Sequence, residues 1–150
     1  MKQELLTKVY NRLKEKEGFR DQPYRCPTGH WTIGYGHNLE GDKVNYHWIN
    51  EEKKISVKDA EFLLSQDVAE AIGNLRRVFS KFNDFSEKRQ IALIDMMFNM
   101  GMATFLEFVK MIYSIEIDDW QGAAWHALDS TYAKQVGPRA VEVAKMLKEG

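Results

Sequence analysis

The sequence predicts an α+β fold, mostly helical, in which a small N-terminal β-sheet lobe is joined by a long helix to a helical C-terminal lobe. Three observations predict it. Apolar residues recur at helical spacing near both ends of the chain. Residues 19–50 instead interleave turn formers with aromatic and β-branched residues. Between them, one helical pattern runs on from residue 56 without a break. The expected organisation is a single domain over 1–150, with a sheet lobe at about 14–55 and a connecting helix at 56–81. Residues 82–150, together with an N-terminal helix at 3–13, make the helical lobe.

Each element has its own signal. Leu5, Leu6, Val9, Tyr10 and Leu13 recur every three or four residues, so residues 3–16 form an amphipathic helix. Gly18 stops it and leaves Glu17 at a helix end beside a loop, where a rigid element can hold a reactive group open to solvent. Pro23, Pro27, Gly29, Gly34, Gly36 and Gly41 then punctuate Tyr24, Trp31, Ile33 and Tyr35, the text of a small antiparallel sheet. Pro27-Thr28-Gly29 is a hairpin turn and Trp31 to Tyr35 a strand, whose glycines admit another group close to the backbone. Ser56 followed by Asp59 resembles a capping box, after which Ala60, Leu63, Leu64, Val68, Ala71, Ile72 and Leu75 keep helical spacing. Ser86 caps a helix whose run Ile91 to Phe98 has few polar positions, so it is buried at the centre of the second lobe. Helices follow at 103–116, on Phe105, Phe108, Val109 and Ile112, and at 119–129, capped by Asp118, on Trp120, Ala123, Ala124, Ala127 and Leu128. Pro138 opens the last helix, with Val141, Ala144 and Leu147 on its buried face.

Composition excludes several classes of function. Net charge is −1. Residues 1–50 carry 8 Lys/Arg against 6 Asp/Glu, and the rest 13 against 16. Neither part is a basic surface, so no nucleic-acid partner is expected. A single cysteine, Cys26, rules out an internal disulfide. Residues 1–17 are studded with charges, and no stretch approaches the roughly 18 apolar residues of a spanning helix. Neither a secretory signal nor stable membrane insertion is expected, and the chain is expected to start in the cytoplasm.

The chemistry-bearing residues fall at fixed intervals. Glu17 is followed by eight residues and then Cys26; five more separate Cys26 from Thr32, which opens the run Thr32-Ile33-Gly34-Tyr35-Gly36-His37. Here the sequence resembles the phage-type lysozymes of glycoside hydrolase family 24. Their pattern is Glu, eight residues, Asp or Cys, five residues, Thr, leading into Ile-Gly-x-Gly-His. Arg89 through Gly101, with Met97-Phe98-Asn99-Met100-Gly101, resembles that family's buried central helix, and Trp120, Ala123-Ala124 and Arg139-Ala140 extend the match. The resemblance covers roughly the whole chain and implies a lysozyme-like fold. It also implies an endolysin-type muramidase acting on peptidoglycan glycan strands, without metal or cofactor, as a monomer released from the host cytoplasm to the wall by a holin.

The chemistry can be stated without the family. Breaking a glycosidic bond needs a proton for the leaving oxygen and a group that attacks the sugar or activates a water. Glu17 is the candidate acid, since a Glu whose acid form is favoured delivers a proton near neutral pH. Cys26 is base, nucleophile or buried packing residue: an unperturbed thiol, with a pKa of about 8.5, is mostly neutral at pH 7. As a base it needs a lowered pKa, which Arg25 or His30 nearby could supply. Thr32 can donate and accept hydrogen bonds, and is also simply a good strand residue. By resemblance, Cys26 and Thr32 place and activate the water.

The resemblance further implies that His37 and Asp67 form a structural ion pair tying the sheet lobe to the connecting helix, and that Arg139 reaches the acid Glu from the other lobe. Asn99, His126 and Gln135 would line the sugar groove on the helical lobe, although His126 departs from the amide expected at its position. Tyr24, Trp31 and Tyr35 could stack on sugars but are as readily core. Rival functions are a lytic transglycosylase, which needs Glu17 but no activated water; a peptidase using Cys26 with His30 or His37; and a catalytically silent glycan-binding protein or tail component. A metal site at Cys26, His30, His37 and His47 matches none of the usual zinc spacings.

Overall fold

The computed structural model describes residues 2–40 and 54–150, and its class is the expected α+β. Gly41, His47 and the end of the sheet lobe expected up to residue 55 fall largely outside those residues. The chain divides into two compact units, Leu6–Ala69 on one hand and Glu70–Gly150 with Met1–Leu5 on the other. By this grouping the first helix from Leu6 onward, and the connecting helix as far as Ala69, go with the sheet.

The helix α1 (Gln3–Glu17) buries Leu5, Val9 and Leu13 and stops where expected, Val9 and Leu13 lying in the sheet unit. Gly18 takes φ +69°, which costs glycine little, and its N–H donates to the Lys14 carbonyl at 2.9 Å. Three short antiparallel strands follow in the order β1 (Arg20–Arg25), β2 (Trp31–Gly34), β3 (His37–Asn38). Tyr24 faces Thr32 and Arg25 faces Trp31 across β1 and β2, while Ile33 faces His37 across β2 and β3. The expected hairpin turn closes with Gly29 N–H on the Cys26 carbonyl at 2.8 Å and Cys26 N–H on the His30 carbonyl at 2.9 Å. The helix α2 (Val57–Val78) starts at Ser56, whose hydroxyl accepts from Asp59 N–H at 3.0 Å. Its Ala60 and Leu63 close a small core with Ile33, Leu39 and Ile55, against which Trp31 and Tyr35 pack. This core is the floor under the strands that carry Thr32 and His37.

In the helical unit, a 3-10 turn (Phe82–Asp84) leads to α3 (Glu87–Phe105), with the Ser86 hydroxyl accepting from Arg89 N–H at its start. Residues Gln90 to Met97 are all buried, as the apolar run requires. Among the described residues no single helix is long and apolar enough to cross a membrane.

The rest of the unit departs from expectation in four places. The helix expected at 103–116 is two pieces: α3 breaks direction at Gly101 (φ +78°) and ends at Phe105, and α4 runs Val109–Glu116. Its buried side is Met111 and Ile115, while Val109 is 68% exposed. The helix α5 (Trp120–Leu128) is capped by Asp119, not Asp118; the Asp119 carboxylate accepts from Gly122 N–H at 2.9 Å, and Asp118 sits at φ +59°. A short α6 (Thr131–Val136) was hidden in the text before Gly137, since one turn and a half carries too little periodicity to see. Finally, α7 (Pro138–Glu149) opens on Pro138 as expected but buries Ala140, Val143, Ala144 and Leu147, leaving Val141 59% exposed. At Val109 and Val141 the apolar face read from the sequence was out of phase, and the side chain meets solvent.

Candidate active site

Glu17 is the last residue of α1 and is half-buried. The glycine run explains what surrounds it. Gly34 (φ +68°) lies so close to α2 that a Cβ there would sit 3.1 Å from the Ala60 Cβ. Gly36 (φ +71°) lies against Glu17 itself: a Cβ there would fall 2.8 Å from Oε2, 2.9 Å from the carboxyl carbon and 3.0 Å from Cγ. The Gly-Tyr-Gly segment thus seats the sheet on α2 and gives the Glu17 carboxyl a backbone wall. Tyr35, between the two glycines, is clamped to the same end of α1, with its ring 5.6 Å from that of Phe19 and Lys14 Nζ 5.7 Å above it.

Cys26 follows the end of β1 and is half-buried. Its sulfur is 3.0 Å from the Thr28 hydroxyl, a hydrogen bond in which either group can donate. Thr32 is buried on β2, and its hydroxyl donates to the His30 carbonyl at 2.9 Å. Burial pushes the Cys26 thiol up, but hydrogen bonds from the Thr28 hydroxyl, the His30 and Thr28 amides and the Thr32 hydroxyl outweigh it, and the net shift is down. Arg25 and His30, the two residues expected to supply this shift, are engaged elsewhere. Arg25 lies over the Trp31 ring at 4.7 Å and donates to the Gly29 carbonyl at 2.8 Å. The His30 ring is 3.1 Å from a Glu40 oxygen that also accepts from Trp31 N–H. The thiol is activated by neutral donors in its own turn.

Tyr24 connects the two halves. It faces Thr32 across the strands, and its phenol is pushed up by burial and by the Glu17 carboxylate, partly opposed by Arg20, with a further upward push from Cys26. The phenol thus lies within electrostatic reach of both Glu17 and Cys26 and across the strands from Thr32. An acid, a thiol with a lowered pKa and a hydroxyl that keeps lone pairs free after donating to a carbonyl are groups able to give a proton, take one and orient a water. Nearby, His37 Nδ1 on β3 meets Asp67 Oδ2 on α2 at 2.8 Å, which binds the sheet to its helix.

The other candidates belong to the helical unit. Asn99 on α3 and Gln135 on α6 are exposed; His126 on α5 is half-buried with its ring edge-on to Trp125. Arg139 Nε donates to Asp95 Oδ1 at 2.9 Å within this unit. Asp95, with a side chain only 1% exposed, went unnoticed in the sequence, although it is the one acid inside the run Ile91 to Phe98. Thr28, Tyr24 as a link, and Gly36 as the seat of Glu17 were likewise not singled out; they are adjacent in space but not marked by residue type. Among the described residues no three His, Cys, Asp or Glu side chains converge as a metal site.

Comparison with known proteins places these features in a context. The profile of the phage lysozyme family matches residues 14–144, well over half of the chain. A probable T4-type lysozyme 2 of Dictyostelium discoideum is 27% identical, the match covering 97% of this chain and 96% of the relative. The endolysin of Acyrthosiphon pisum secondary endosymbiont phage 1 is 28% identical over 85% of this chain and 80% of its own length. The pre-baseplate central spike protein Gp5 of Enterobacteria phage T4 is 26% identical over 92% of this chain, which corresponds to 27% of the spike protein.

Proposed function

The chain belongs to the phage lysozyme family and is a lysozyme-type peptidoglycan hydrolase, and from that premise we propose that it is an endolysin-type muramidase. It hydrolyses the β-1,4 bond between N-acetylmuramic acid and N-acetylglucosamine and so lyses the host cell. Glu17 is the general acid. Cys26 as thiolate takes a proton from a water that Thr32 holds; the water oxygen bonds to the anomeric carbon, the glycosidic C–O bond breaks, and the Glu17 proton goes to the leaving oxygen. Asn99, His126 and Gln135 contact the glycan.

What supports this reading most is that the Tyr24 phenol, opposite Thr32 on the paired strands, is within electrostatic reach of both Glu17 and Cys26, while the Cys26 sulfur takes a hydrogen bond in its own turn and its thiol is pushed down. A downward shift favours the thiolate, the form a base needs. Residence in the host cytoplasm until a holin gives access to the wall, and action as a monomer, belong to the same proposal. Mass spectrometry of products from purified peptidoglycan tests the chemistry. Reducing muramic-acid ends are expected. Anhydro-muramic ends would identify a transglycosylase, and no products at all a glycan-binding protein.

A further inference from the structure

We propose that Thr28 is a fourth member of the site, a positioning residue whose hydroxyl donates to the Cys26 sulfur and fixes its direction for proton transfer. The inference rests on the reading of Cys26 as the base. Thr28 is the middle residue of the Pro27-Thr28-Gly29 turn, which folds its side chain back on Cys26 at 3.0 Å. A thiolate has no proton, so in the reactive state the hydroxyl must be the donor.

Two hydroxyls compete for that role, and the structure separates them. Thr32 also lowers the thiol, but less than Thr28 does, and its one proton is on the His30 carbonyl at 2.9 Å; turning it fully to the sulfur would forfeit that bond for a buried residue. Thr28 is exposed, and the Cys26 sulfur is the partner of its hydroxyl. The division of labour follows: Thr28 holds the sulfur, which leaves the lone pairs of Thr32 to accept from the water. The charged groups around the turn do not substitute for Thr28. Arg25 is on Gly29 and Trp31, and His30 is on Glu40. Turn closure itself does not need the hydroxyl, because the two backbone bonds between Cys26 and Gly29 or His30 close it.

The test uses the fact that Cys26 is the sole thiol. Iodoacetamide alkylation of the intact protein, followed against pH, reads the thiolate of Cys26 directly, and sacculus clearance reads activity. Thr28→Val keeps the shape and removes the donor; it should slow alkylation at pH 7 by about tenfold, the scale of one hydrogen bond to a charged group, and slow clearance in parallel. Thr28→Ser should restore both to within about twofold of wild type on the same grounds. Superimposable alkylation profiles for wild type and Thr28→Val would overturn the proposal, as would a shifted profile with unchanged clearance. A Cys26→Ala protein that clears walls at the wild-type rate would instead remove the reading of Cys26 on which the proposal stands, and the alkylation arm still decides the Thr28 contact.

Discussion

Replacing Gly36 by alanine should disable the enzyme through Glu17 while leaving it folded. The added Cβ would lie 2.8 Å from Glu17 Oε2, where ordinary contact begins at 3.4 Å. The carboxyl must therefore retreat by roughly 0.6 Å, and an acid displaced on that scale loses about tenfold to a hundredfold in rate. Two separate costs in stability are expected. Alanine at φ +71° costs about 1–2 kcal/mol by itself, and crowding against Glu17 adds about 1–3 kcal/mol. Gly29 isolates the first cost, since it has φ +87° and nothing within 4 Å of its would-be Cβ. Denaturant melts of Gly36→Ala, Gly29→Ala, Glu17→Ala and the Glu17→Ala/Gly36→Ala double variant complete the comparison. In the Glu17→Ala background the penalty at position 36 should fall to that at position 29, because the atoms in the way are gone. An equal penalty in both backgrounds, or a Gly36→Ala enzyme that clears sacculi as fast as Gly29→Ala, would show that Gly36 does not seat the acid.

Other perturbations separate the remaining roles. Cys26→Asp should stay active and Cys26→Ala should lose most of its clearance activity; a fully active alanine variant would reduce Cys26 to packing. Because the thiol is shifted down, its alkylation should persist to lower pH than that of an exposed model thiol and fade as pH falls through its depressed value; a profile matching the model thiol counts against the turn as activator. Asp95→Ala should destabilise the protein by about 1–3 kcal/mol, since Arg139 Nε loses its charged acceptor at a buried position, and an unchanged denaturant melt would show that the pair contributes little. Asp67→Ala should cost about 1–3 kcal/mol through His37, and an unchanged melt would exclude the pair as a tie between β3 and α2.

The helices with a strong period were legible residue by residue. The α1 stripe, the Ser56 and Ser86 caps and the buried run at Ile91 all stand as the text suggests, because each combines a clear apolar face with a local terminus signal. What failed was phase in short helices. Two helical turns at Val109–Glu116 do not fix which face is apolar, and tertiary packing chose Met111 and Ile115 over Val109. Adjacent aspartates at 118 and 119 offered two caps, and only the residue whose carboxylate reaches Gly122 N–H serves.

The site divides along a similar line. Glu17, Cys26 and Thr32 were visible because their spacing is a pattern in one dimension. The groups that surround them depend on folding. No residue-type signal says that Gly36 packs on Glu17 from nineteen positions away, that Arg25 prefers the Trp31 face to the thiol, or that Thr28 turns back on Cys26. The glycine run hinted at close backbone approach, but what approaches was fixed only by the seating of β2 and β3 against α1 and α2.

The account depends on one proton. Purified Glu17→Gln protein, shown by its melting curve to be folded like wild type, should release no soluble muropeptides from sacculi, because an amide on the same seat cannot protonate the leaving oxygen. Release at the wild-type rate would contradict Glu17 as the acid, and with it the assignment of every group arranged around it.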